Sequence, residues 1–101
     1  MARAAPGVHP PRGTYSLAMR VPAAQLRAVV GGLERQLRAE GGELSDLVSL
    51  TVFVTRISDR EALEEVRREL FPVPPPASTM VEVSGLAEPG LVVEVQAVAA
   101  V

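Results

Sequence analysis

Several residue types are missing from this sequence of 101 residues, and each absence excludes a class of chemistry. There is no cysteine, which rules out disulfides, thiolate nucleophiles and cysteine-based zinc sites. There is no lysine, since all ten basic residues are arginine, and so a lysine Schiff base and a P-loop grip are excluded. His9 is the only histidine, so one chain cannot build a multi-histidine metal site. Any catalysis therefore depends on carboxylate, hydroxyl, guanidinium or backbone groups, or on a borrowed cofactor.

Long apolar runs and a basic surface are missing as well. No stretch approaches the roughly 20 apolar residues of a transmembrane helix, and no secretory signal is visible. The net charge is −2, acids interleave with the arginines, and no basic stripe with aromatic platforms occurs. We therefore expect a cytoplasmic protein that binds neither membrane nor nucleic acid.

The chain length fits one domain. Residues 1–12 contain three prolines, show no periodicity and predict a flexible lead-in, in which His9 is an ordinary exposed side chain. Residues 13–101 are expected to form the domain. Its predicted elements are a short strand Gly13–Arg20, a helix Ala23–Glu40, a strand Leu47–Thr55, a second helix ending before Phe71, and strands Thr79–Val83 and Leu91–Val98. The order β-α-β-α-β-β predicts an α+β fold, with two helices on one face of a sheet.

Local signals set the helices. The first carries an apolar stripe of Leu26, Val29, Val30, Leu33 and Leu37. Gly31–Gly32 weaken it and Gly41–Gly42 end it. The second opens with a Ser58–Glu61 capping box, buries Ala62, Leu63, Val66 and Leu70, and allows an outer Glu64–Arg68 pair.

Two strands are apolar on both faces. In the first, Val48, Leu50, Val52 and Val54 share one face, and Phe53 lies on the other. The last strand places Leu91, Val93 and Val95 opposite Val92 and Val98. Because two helices cover only one face of such a sheet, we expect a second copy of the chain to cover the other.

A few polar residues could carry chemistry. If the last two strands form a hairpin, Glu82 lies near Glu94 or Gln96, and a carboxylate at the edge of an apolar pocket suits general acid–base work. A solvated or locally hydrogen-bonded carboxylate is the structural alternative. Ser78 and Thr79 could bind a ligand oxygen or bond to the local backbone. Tyr15 is a ligand contact or an anchor for the first strand.

Four segments together resemble the Rid family, the reactive intermediate deaminases, also called YjgF-like proteins or L-PSP endoribonucleases. They are residues 24–41, 44–55, 71–86 and 91–99, with F-P-V-P-P-P-A and V-E-V-Q-A-V-A as the most specific stretches, and Gly13–Ser16 is similar to the family's G-P-Y-S. The resemblance implies a chorismate-mutase-like fold with a mixed sheet, assembled as a homotrimer with ligand clefts between subunits.

The resemblance also implies an activity. Active members are hydrolases that convert 2-imino or enamino acids into 2-keto acids and ammonia, with no metal and no cofactor. In them an arginine of the P-A-R-[ST] motif holds the substrate carboxylate, and a glutamate on the last strand orients the attacking water. Glu94 matches that glutamate, Tyr15 matches a cleft tyrosine, and Ser78 and Thr79 occupy the motif's last two positions.

Three departures from the family pattern alter this expectation. Ser78 stands where the motif has arginine, and no arginine follows Arg68. A charge-assisted hydrogen bond to a carboxylate contributes about 1.5–3 kcal/mol, so affinity for an imino acid should fall by orders of magnitude. The segment from Arg20 to Ala23 leads straight into the helix and leaves no room for the family's hairpin. The family's aspartate after the central strand is Arg56 here.

Four readings follow. The first is a divergent trimer that binds a small metabolite between subunits and retains residual imine hydrolysis through Glu94. The second is a competent deaminase whose carboxylate grip comes from another arginine, with Arg12, Arg20 and Arg56 as candidates. The third is a non-catalytic scaffold or interaction trimer. The fourth, an endoribonuclease, is the least favoured, because basic and aromatic surface is lacking.

Overall fold

The computed structural model describes residues 20–101, and the backbone alone at Arg20. Two helices and three strands follow one another along the chain. They are α1 (Arg20–Ala39), β1 (Leu47–Val54), α2 (Arg60–Leu70), β2 (Ala77–Glu82) and β3 (Val93–Ala99), with short 3-10 turns at Leu44–Asp46 and Ile57–Asp59. The predicted order from the first helix onward is confirmed. The predicted lead-in 1–12 and the strand Gly13–Arg20 lie outside the described residues, except that Arg20 begins α1 rather than ending a strand.

The sheet is mixed and has β1 at its centre. β2 pairs with β1 in parallel, and β3 pairs with β1 antiparallel on the other side. β2 and β3 are therefore separated by β1. The hairpin considered between them does not form, because the segment that joins them crosses from one edge of the described sheet to the other instead of making a tight turn.

Both helices pack on one face of this sheet, as the sequence predicted. The core unites the apolar stripe of α1, the inner residues of α2 and alternate residues of the strands: Leu26, Val29, Val30, Leu33, Leu37, Leu50, Val52, Val54, Leu63, Val66, Val93 and Val95 are buried. The architecture is the predicted α+β class.

Glycines end α1 in the predicted way. Gly41 adopts φ +83°, a conformation that a side chain disfavours. The N–H groups of Gly42 and Gly41 donate to the carbonyls of Leu37 (2.7 Å) and Arg38 (3.1 Å), the pair of bonds of a Schellman motif. The helix runs through Gly31 and Gly32 without a break.

Three local predictions are wrong. Val48 is 54% exposed, since a register shift between Leu47 and Ser49 interrupts the alternation of β1 and turns Leu47 inward instead. No capping side chain opens α2, because the chain enters it through the 3-10 turn that ends at Asp59. On the outer side of α2, Glu64 hydrogen-bonds to Arg67, one residue before the predicted partner.

Candidate functional site

One face of the sheet carries no helix in the described part of the chain. Strand register places three residues of each strand on it: Ala77, Thr79 and Val81 of β2, Ser49, Thr51 and Phe53 of β1, and Glu94, Gln96 and Val98 of β3. We call these nine residues the helix-free face. Val98 is 54% exposed and Phe53 and Val81 are half-buried, so the face mixes apolar and polar groups that solvent reaches.

Glu94 lies on the helix-free face. It is paired with Phe53 of β1 and is itself half-buried. Cβ atoms of such cross-strand partners are about 4.5–5.5 Å apart. The Glu94 side chain therefore starts beside that of Phe53, on a face that no described helix covers. A water molecule bound to the carboxylate could be aimed at an electrophile docked on this surface.

Ser78 and Thr79 point to opposite sides of the sheet. Thr79 pairs with Thr51 and belongs to the helix-free face. Ser78 pairs with Leu50, whose side chain lies in the core beneath the helices, so Ser78 is on the helix side. Both side chains are exposed, and β2 lies at an edge of the sheet that residues 20–101 form. One chain therefore brings Thr79 onto the face of Glu94 and keeps Ser78 off it.

The other predicted ligand contact, Tyr15, lies outside the described residues, as do Arg12 and the side chain of Arg20. Arg56 is exposed and begins the 3-10 turn after β1.

Glu82 has a local structural partner. Its Oε1 accepts a hydrogen bond of 2.7 Å from the backbone N–H of Ile57. The bond fastens the end of β2 to the turn that leaves β1. Glu82 is therefore a locally hydrogen-bonded carboxylate. Since β1 separates the two strands, the hairpin that would place Glu82 near Glu94 or Gln96 does not form.

Sequence reasoning missed Gln25. It is 2% exposed, the one buried polar residue of the described chain. Its Nε2 donates to the Gly90 carbonyl (2.6 Å), and its Oε1 accepts from the Val92 N–H (2.8 Å). A signal was present, since Gln25 stands four residues before Val29 on the i, i+4 row of buried side chains.

Ion pairs occupy the helix surfaces. Arg67 Nη2 lies 2.7 Å from Glu64 Oε2, and this hydrogen bond lowers the pKa of Glu64. Arg27 of α1 binds both carboxylate oxygens of Glu69 of α2 and lowers the pKa of Glu69. These contacts lie on the helix side of the sheet, where they join or stabilise helices.

Across residues 20–101, no group of three or more His, Cys, Asp and Glu side chains could hold a metal ion. In the same range neither helix has the length and apolar character to cross a bilayer.

Comparison with known proteins gives one consistent result. Residues 7–101 match the model of the family described as Endoribonuclease L-PSP. A curated relative, Protein mmf2, mitochondrial, of Schizosaccharomyces pombe, is 36% identical over 78 residues, which are 75% of this chain and 62% of the relative. The chain thus spans less than two thirds of that relative's length.

Solved structures agree. A Pseudomonas aeruginosa protein of unknown function, PA3499, is 42% identical with a TM-score of 0.76, over 91% of this chain and 68% of that one. Rv2704 of Mycobacterium tuberculosis, a member of the YjgF/YER057c/UK114 family, is 39% identical with a TM-score of 0.76, over 78% and 67% of the two chains.

Proposed function

Since the chain belongs to the Rid family, the YjgF-like or L-PSP proteins, we propose that it is a divergent trimeric member that binds a small metabolite in clefts between subunits and retains residual imine hydrolysis. The observation that carries the proposal is the position of Glu94 beside Phe53 on the helix-free face. A second copy packed on that face would enclose the carboxylate in an apolar cleft.

The proposed chemistry needs only Glu94 and water. The carboxylate accepts a hydrogen bond from a water molecule and aims its oxygen at the imine carbon. The water oxygen adds to this carbon while Glu94 passes a proton of that water to the imine nitrogen, which gives a carbinolamine. Glu94 then passes the proton of the carbinolamine hydroxyl to the nitrogen, so that the C–N bond breaks, ammonia leaves and the C=O bond of the 2-keto acid forms. Positioned proton transfer of this kind accelerates a step by about 10²- to 10⁴-fold.

The serine at position 78 sets the limit on this activity. Ser78 offers one neutral hydroxyl where a guanidinium would give paired, charge-assisted hydrogen bonds to a carboxylate. Thr79, on the same face as Glu94, supplies a further hydroxyl for a ligand oxygen. We therefore propose weak binding of imino acids and no metal or cofactor in the reaction.

We propose a single domain over residues 13–101, no nucleic-acid partner and a cytoplasmic location, although the fission-yeast relative is named as mitochondrial. The ion pairs Arg27–Glu69 and Arg67–Glu64, which neutralise arginines on both helices, support the absence of a nucleic-acid surface. A labelled RNA titration at low salt should therefore show no binding.

The test of the proposed function is the rate of 2-iminobutanoate hydrolysis. The imine is generated enzymatically, and the imine that has not been hydrolysed is trapped with semicarbazide. We expect a slow rate in the wild type and a faster one in Ser78→Arg. Ser45→Arg, which adds the same charge at an exposed serine before β1, should leave the rate unchanged. No measurable hydrolysis by either the wild type or Ser78→Arg would contradict the proposal and favour a non-catalytic scaffold protein. Fast hydrolysis by the wild type, with the same rate in Ser78→Arg, would favour a competent deaminase that holds the substrate carboxylate with another arginine.

A further inference from the structure

Gln25 of α1 connects the helix layer to the segment that delivers Glu94. Its side-chain amide is buried, and both of its hydrogen-bonding atoms are used on one short stretch of backbone, Gly90 to Val92. A buried amide whose nitrogen and oxygen are both hydrogen-bonded fixes the backbone it binds, since a movement of that backbone leaves buried polar groups without partners.

The same stretch is also held from the sheet. While the Val92 N–H donates to Gln25, the Val92 carbonyl accepts a 3.1 Å hydrogen bond from the Thr55 N–H at the end of β1. Gly90, on the Gln25 side of this stretch, adopts φ +88°, which favours glycine. Val92 is therefore fastened on both sides immediately before β3 begins.

Glu94 follows Val92 by two residues. The register Val54↔Val93 and Phe53↔Glu94 places its carboxylate on the helix-free face. A slip of one residue would turn Glu94 into the core and Val93 outward. The atoms that hold the start of β3 thus decide on which face Glu94 lies.

We propose that Gln25 is a positioning residue for Glu94: by pairing with Gly90 and Val92 it locks the start of β3 in the register that presents the carboxylate on the helix-free face. The catalytic meaning of this inference rests on the proposed function. The hold of Gln25 on the start of β3 does not rest on it, and protection of the β3 amides from exchange measures that hold without any measurement of catalysis.

The experiment is amide hydrogen exchange by NMR on the full chain, with Gln25→Met and the matched control Gln36→Met, an exposed glutamine on the same helix. In Gln25→Met, residues 92–95 should lose protection at least about tenfold, because the Val92 N–H loses its buried acceptor. The β1–β2 amides and the control should stay at wild-type protection. An equal loss in all three strands, or no loss at 92–95, would overturn the inference.

A second variant covers the case in which Gln25→Met does not fold. Gln25→Glu keeps an acceptor for the Val92 N–H and removes the donor to the Gly90 carbonyl, so selective loss of protection in β3 relative to β2 is again expected.

Imine hydrolysis supplies the catalytic readout in the Ser78→Arg background. There Gln25→Met should lower kcat at least about tenfold and leave KM within about twofold, as expected for a misplaced Glu94. An unchanged kcat together with lost amide protection in β3 would overturn the positioning role. If Ser78→Arg itself hydrolyses no imine while Gln25→Met selectively loses protection in β3, only the proposed function is refuted.

Discussion

Ser78 and Glu94 lie on opposite faces of the same sheet and on strands separated by β1. Two strand spacings alone amount to about 10 Å. The resemblance to active Rid proteins implies that the family's residue at position 78 holds the substrate carboxylate and that the glutamate at position 94 orients the attacking water. One chain therefore does not bring them to one small molecule, and we expect each site to take position 78 from one copy and Glu94 from another.

Mixed assemblies test this arrangement. One chain carries Ser78→Arg together with Glu94→Gln, and it is co-expressed with the wild type under separate tags. Assemblies that contain both chains should hydrolyse 2-iminobutanoate faster than either parent, because some sites combine the introduced arginine with an intact Glu94. The control replaces the wild type by Glu94→Gln, which leaves no intact carboxylate. A mixture that shows only the average of its parents would place both positions in one copy.

The helix-free face should hold the copies together. Val98 is 54% exposed there, and Val98→Arg introduces a charge that packing of a second copy would have to desolvate. We expect the mass in solution to fall to that of a monomer while the circular dichroism stays unchanged. Val73→Arg is the matched control, because Val73 is 91% exposed and lies outside the sheet. If Val98→Arg keeps the wild-type mass, the interface lies elsewhere.

The two glutamates of the last strands should respond differently. Glu82 binds the Ile57 N–H, so Glu82→Gln should lower the free energy of unfolding by about 1 kcal/mol and leave the hydrolysis rate unchanged. Glu94→Gln should lower kcat by about 10²- to 10⁴-fold and leave stability nearly intact. Both are measured in the Ser78→Arg background. If Glu82→Gln lowers the rate of imine hydrolysis, Glu82 takes part in the site and this account is contradicted.

Acid should weaken the helix layer through Glu64 and Glu69. Hydrogen bonds from Arg67 and Arg27 lower the pKa of these carboxyl groups in the folded chain from the ordinary value of 4.5. Their stabilisation is thus present above about pH 4.5 and is lost as the pH falls through the lowered values. Urea unfolding at equal protein concentration should show a smaller loss between pH 7 and pH 3 in Glu64→Gln/Glu69→Gln than in the wild type. An equal loss in both proteins would contradict this account.

The spacing of apolar residues and the positions of glycines predicted most of the fold. The stripe from Leu26 to Leu37 and the glycines at 41 and 42 gave the first helix and its end, because burial and a positive φ are local demands. Val48 escaped prediction, since a register shift depends on the partner strand. The order of the strands also escaped it, because pairing across the sheet is not encoded in the spacing of residues along one strand.

The candidate site was predicted only in part. Glu94 was named as a candidate from its position on the last strand and given its role by family resemblance. Its place beside Phe53 depends on the register of β3 against β1. Ser78 and Thr79 are adjacent in sequence, so their separation onto two faces could be read from strand alternation alone. Gln25 was missed because a single polar residue on an apolar stripe does not reveal the distant backbone that it binds.

The most direct test of the central claim, a site completed between copies of the chain, is the mass of the assembly in solution. Native mass spectrometry and sedimentation velocity at micromolar concentration should both give three chains. A monomer at that concentration would contradict the account, because Glu94 and the helix-free face would then remain open to solvent with no second copy to complete the cleft.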